Sequence, residues 1–205
     1  MGKNIKGLVL ITGTTSGVGL NTLKPLLRIG WEVIAVNRSN KRAKIKAQQN
    51  LTDSEMKNIH FIEVDLSDLD DVRDGCSEIL KKFKNPINSI ICNAAVYKPR
   101  LRKPERSPQG FENSMAVNHF GHFLLISLLL EDILSSEKEI DLNGKTTKFK
   151  PRITILGTVT ANYSELGGRI PIPAPADLGD LSGFKNGFLS PISICLLYTS
   201  PSPRD

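Results

Sequence analysis

The chain has 205 residues, 40% of them hydrophobic and 23% charged, with a formal net charge of +6. That composition excludes a fibrous or low-complexity chain, and the length suits one domain. Three cysteines, Cys76, Cys92 and Cys195, share no CxxC spacing. A disulfide framework or zinc site is therefore not expected, and a reducing compartment fits best.

The basic balance favours anionic partners. The basic residues are spread along the chain without interleaved aromatics, which argues against nucleic acid. Residues 1–6 lack the apolar core of a secretory signal. The longest apolar stretch near the middle, 123–130, is interrupted by Ser127 and is too short to span a bilayer. Membrane contact is thus expected to be peripheral.

In chain order, short apolar runs alternate with helical periods. The run 7–11 is a first strand. Residues 18–29 follow as a helix with Leu20, Leu23, Leu26 and Leu27 on one face. Gly30 ends it, and 31–36 is a second strand. Ser39 or Asn40 can cap a basic helix reaching about residue 50. A third strand is expected at 59–64, then a helix from about 69 to 83 capped by Ser67. A fourth strand at 87–92 precedes a long apolar helix over 111–134 that should pack on the sheet. The fifth strand is 153–156. Such alternation predicts an α/β fold, a doubly wound parallel sheet of Rossmann type covered on both faces. Its ligand site should lie at the carboxyl ends of the strands, at the switch point. Residues 161–193, rich in Gly and Pro, read as a long ordered loop.

The strongest signal is Thr12-Gly13-Thr14-Thr15-Ser16-Gly17-Val18-Gly19, placed between the first strand and first helix. A phosphate needs backbone N–H donors with no side chain in the way, and a helix start adds a positive dipole end. Gly13, Thr15, Ser16, Gly17, Val18 and Gly19 are therefore candidate cofactor contacts. The second strand ends at Asn37-Arg38, where NAD-dependent enzymes carry Asp or Glu. Arg38, with Arg42 one turn on, suits a 2′-phosphate, so NADPH is the expected cofactor. Asp65, followed by Leu66, can accept a bond from adenine or cap the next helix. His119 and His122, three apart, lack a third ligand, so they read as packing and no metal is expected.

Thr12-Gly13-x-x-x-Gly17-x-Gly19 together with Cys92-Asn93-Ala94-Ala95 resembles the short-chain dehydrogenase/reductase family. The resemblance places Asn93, Ala94 and Ala95 against the cofactor. It matches Asn118 to the family's helix-borne active-site Asn and Thr158 to its catalytic Ser. Residues 92–97, 118–125, 157–162 and 173–184 narrow it to one branch, the light-dependent protochlorophyllide reductases, in wording nearest to cyanobacterial versions. That branch implies light-driven, NADPH-dependent reduction of the ring-D double bond of protochlorophyllide to chlorophyllide, in chlorophyll biosynthesis. It also implies a cytoplasmic protein, peripheral to photosynthetic (thylakoid) membrane, and is compatible with a homo-oligomer.

One part of the family pattern is missing. Family members carry Tyr-x-x-x-Lys, whose ammonium lowers the phenol's pKa for proton donation. Here Tyr97, Tyr163 and Tyr198 are followed four residues on by Leu101, Gly167 and Ser202. The resemblance stops near residue 194. The expectation is one NADP-binding domain over 1–194, with 161–194 as the branch-specific loop. Residues 195–205 read as an unrelated tail on a C-terminally truncated chain with little or no turnover. The alternatives are a generic short-chain reductase acting on a hydrophobic carbonyl, and a non-catalytic NADPH-binding module.

Overall fold

The computed structural model describes residues 7–96, 105–142 and 145–157. Five parallel strands form the main sheet: β1 (Leu8–Thr12), β2 (Glu32–Asn37), β3 (Ile59–Glu63), β4 (Ser89–Cys92) and β7 (Arg152–Ile155), in the order β3-β2-β1-β4-β7. The chain builds outwards from β1 to β3, then returns to place β4 on the other side of β1. The loops leaving β1 and β4 diverge, and a crevice opens at their carboxyl ends.

The strands of the centre form because their runs are apolar on both faces. All five residues of β1 are buried, as are Val33, Ile34, Ala35 and Val36 of β2. Val9, Ile11, Val33 and Ala35 face Leu23 and Leu27 of helix α1 (Gly17–Arg28). Leu10, Ile34, Ile62 and Ile90 face the opposite layer. That layer is α4 (Leu69–Lys82), through Val72, Cys76 and Ile79, and α6 (His122–Ser135), through Leu125, Leu129 and Ile133. Alternate residues of each strand thus feed two separate cores.

Local signals set the boundaries. Ser39, rather than Asn40, caps α2 (Asn40–Gln48), its hydroxyl accepting from the N–H of Arg42. The cap of α4 is Asp68, not Ser67: its carboxylate accepts from the N–H of Asp70. Ser67 is instead drawn into a turn with Asp65. A short helix the periodicity does not show, α3 (Asp53–Met56), is held by a reciprocal capping box between Thr52 and Glu55.

Three further differences matter. The expected uniform helix over 111–134 is composite. It runs from α5 (Asn113–Met115) through a π-helical turn (Ala116–Gly121) into α6. As one helix, Asn113–Ser135 is long and apolar enough by length and composition to cross a membrane. The shorter stretch read from the sequence understated it, because the polar residues at 118, 119 and 122 interrupt the run but not the helix. Its buried stripe against the sheet is that of a core helix. An antiparallel hairpin, β5 (Lys138–Leu142) with β6 (Lys145–Phe149), follows α6 where the sequence showed no element. Last, β7 was expected to be covered on both faces, yet its four residues are exposed. It pairs only with β4 and forms the sheet edge among the described residues.

Candidate functional site

A cleft of about 370 Å³ opens at the carboxyl ends of β1, β2, β3 and β4. Of the residues expected to contact a cofactor, Gly13, Thr15, Ser16, Val18, Asn37, Arg38, Arg42, Asp65, Leu66, Asn93, Ala94 and Ala95 line it. Gly17 and Gly19 do not line the cleft; they shape the turn behind it.

The turn after β1 is tight because two positions accept no side chain. Gly13 has φ +74°, and a Cβ there would lie 2.8 Å from the Cα of Ala94. At Gly19 a Cβ would run into the carbonyl oxygen of Gly13 and the amide of Asn93. Helix α1 therefore starts hard against the end of β4. Its N-cap, Ser16, is extended and makes no side-chain capping bond, and its first turn carries no acidic residue. The amide dipoles of that turn face the cleft without an internal anion.

Hydrogen bonds lock this turn to the sheet. The N–H of Thr14 donates to Asn37 Oδ1 at 2.7 Å, and Asn37 Nδ2 donates to Thr14 Oγ1 at 2.9 Å. Asn37 is thus buried and spent on the turn, while its backbone borders the cleft. Asn93 behaves likewise. Its Nδ2 donates to the carbonyl oxygens of Thr12 and Gly13, each at 2.9 Å, tying β4 to β1 across the crevice. Thr12 Oγ1 accepts from the N–H of Asn93 and of Ala94, each at 3.0 Å. Thr12 and Thr14 stand within the glycine motif, but the sequence assigned neither of them a role. The available signal was their position: hydroxyls beside glycines in a turn must bond locally or stay unsatisfied.

At one end of the cleft the exposed Arg38 and Arg42 flank Ser39. Among the described residues neither guanidinium takes an acidic partner. Asp65 lies across from them. Its Oδ1 accepts from the N–H and hydroxyl of Ser67, at 2.9 and 2.7 Å, an Asx turn and not a helix cap. At the other end, Asn118 lies in the π-helical turn, buried. It clamps Val96 from both sides: Asn118 Oδ1 accepts from the Val96 N–H at 2.7 Å, and Nδ2 donates to its carbonyl at 3.1 Å. Asn118 does not line the cleft; it fixes a residue that does. π-Helical turns often mark functional positions.

His122 sits beneath, 5% exposed, with Nε2 2.8 Å from Thr12 Oγ1. Burial pushes its pKa down to about 4, aided by neighbouring His119. Burial likewise raises the Cys92 thiol to about 12, so it is inert despite lying next to Asn93. Thr158 lies outside the described residues, as do Tyr97, the 161–194 loop and the 195–205 tail.

The arrangement offers backbone donors at a helix start, guanidinium groups at a strand end and an apolar floor. That is chemistry for an extended, anionic, partly aromatic ligand. Fold and cleft together define a dinucleotide-binding α/β protein of the doubly wound class. The sequence model described as short chain dehydrogenase matches residues 7–139. The chain belongs to that family.

Curated relatives named protochlorophyllide reductase share 39% identity over 183 residues in Daucus carota, 37% over 183 in Arabidopsis thaliana and 35% over 186 in Chlamydomonas reinhardtii. In each, the match covers 89% of this chain and 42% of the relative, so the chain spans less than half their length. All three names carry the word chloroplastic. Among solved structures, an uncharacterised protein from Mycobacterium paratuberculosis aligns with TM-score 0.65 and 22% identity over 94% of this chain and 57% of its own. An alcohol dehydrogenase from Thermococcus sibiricus aligns with TM-score 0.53 and 19% identity over 64% and 55%. These two bear on the fold alone.

Proposed function

We propose that this chain carries the coenzyme-binding part of a light-dependent, NADPH-dependent protochlorophyllide reductase. The observation that carries the coenzyme reading is the pairing of an uncapped α1 start with the two exposed guanidinium groups at the end of β2. The relatives' names supply the pigment. NADPH, when bound, supplies the hydride that reduces the ring-D double bond.

In this reading, the turn over Gly13–Gly19 binds the diphosphate by backbone amides, with Thr15, Ser16 and Val18 along its rim. Arg38 and Arg42 hold the 2′-phosphate. Asp65 and Leu66 border the adenine. Asn93, Ala94 and Ala95 form the floor beside the nicotinamide, dry enough to orient it. Asn118 holds that floor through Val96, and Thr158 contributes a hydroxyl near the pigment. The excited pigment supplies the driving force, so the chain needs to orient and exclude water. Without Tyr-x-x-x-Lys in its sequence, the 205-residue chain alone is expected to bind but hardly turn over. The formal net charge of +6 is compatible with peripheral contact at a photosynthetic membrane.

Titration of the chain with NADPH and NADH in the dark tests the coenzyme. NADPH should bind at least tenfold more tightly, and Arg38→Ser with Arg42→Ser should erase the preference by weakening NADPH alone. Equal affinities in the unaltered chain would overturn it. Adding protochlorophyllide and flashing tests the second half: a dark ternary complex with little chlorophyllide absorbance is expected, and turnover at the rate of a full-length relative would refute the claim of low activity.

A further inference from the structure

The floor of the cleft is held at two places, and both fastenings lead to one imidazole. Thr12 Oγ1 accepts two backbone N–H bonds, from Asn93 and Ala94. A hydroxyl has two acceptor sites and one proton. With both sites used, the Thr12 proton must point at the remaining neighbour, His122 Nε2, at 2.8 Å. That nitrogen is then the acceptor, so the imidazole is neutral and carries its proton on Nδ1. The Nδ1 proton faces the carbonyl oxygen of Asn118 at 3.4 Å. Asn118 is the residue whose side chain clamps Val96.

We propose that His122 is a positioning residue for the coenzyme. By accepting from Thr12 and donating to Asn118 it keeps segment 93–96 seated against the β1 turn. Its role is to orient a proton, which an apolar side chain of equal volume cannot do. The proposal rests on reading the cleft as an NADPH site. Without the imidazole, the buried Thr12 O–H has no acceptor, and the hydroxyl can aim its proton elsewhere only by rotating away from one of the two backbone N–H groups. The floor then loosens at Asn93 or Ala94, where the cleft is lined.

Nitrogen NMR of the chain labelled at histidine, with its three histidines assigned by His60→Gln and His119→Gln variants, reads the tautomer directly. His122 should be neutral with the proton on Nδ1 at neutral pH. An imidazolium, or a proton on Nε2, would overturn the proposal, whatever the coenzyme does.

Dark titration supplies the second measurement. His122→Leu should weaken NADPH binding roughly tenfold, and His122→Gln, which keeps an acceptor, should recover most of it. In a Thr12→Val background, His122→Leu should add less than about twofold. Fully additive losses would mean that His122 only fills space, and would sink the idea. If His122→Leu does not fold, the tautomer and His122→Gln still decide. If the unaltered chain binds no NADPH, the site reading falls, while the tautomer separately tests the hydrogen-bond order.

Discussion

At the residue scale, the site is made by side chains that spend their polarity on the backbone. Asn37, Asn93 and Asn118 each fasten a loop through side-chain bonds to the backbone. His122 adds a pH dependence of definite sign. Its folded pKa of about 4 lies below the ordinary 6.5, so between those values the unfolded chain binds the extra proton. Stability from this group is complete above about pH 6.5 and is lost as pH falls towards 4, by on the order of 3 kcal/mol. Urea midpoints measured across that range should decline in the unaltered chain, and the decline should be shallower in His122→Gln. Parallel curves would contradict the assignment.

Which residues line the cleft was more legible from sequence than how they are held there. Glycine spacing after an apolar run forces the turn. A strand end without Asp or Glu but with Arg38 forces the charge at the cleft's rim. The partners of Thr12 and Thr14 lie 110 and 23 positions away along the chain, at His122 and Asn37, and no local pattern announces such bonds. Ser67 and Asp68 show the same limit on a smaller scale. Both are good caps, and the choice turned on Asp65 already claiming Ser67.

At the element scale, the long helix shows how burial sorts one apolar run into two roles. Leu129 is fully buried against the sheet, whereas its neighbour Leu130 is 41% exposed. Leu129→Ala should cost about 2–5 kcal/mol of unfolding free energy, and Leu130→Ala under about 1. Equal losses by chemical denaturation would show that the exposed face is covered in solution. The sequence predicted this helix but not its π-helical turn, since hydrophobic periodicity carries no sign of an extra residue whose side chain bonds to Val96. The hairpin of β5 and β6 was equally hidden. Its strands, KEIDL and KTTKF, lack the long apolar run by which the core strands were recognised.

At the scale of the whole molecule, strand order does the organising. Among the described residues, those lining the cleft run from Gly13 to Val117, all of them upstream of β7. Dark affinity for NADPH should accordingly stay within about twofold on Thr158→Val, even where photoreduction is lost, as a fluorescence titration would show. A loss of binding would mean that the downstream residues help to build the coenzyme site.

That division of labour gives the sheet a temporal meaning as well. During synthesis the chain completes the described lining of the cleft at Val117, and the His122 that fastens its floor follows a few residues later, both before the β7 edge strand exists. Under the proposed coenzyme reading, loading at that stage favours the folded first half by mass action while the remainder is still being added.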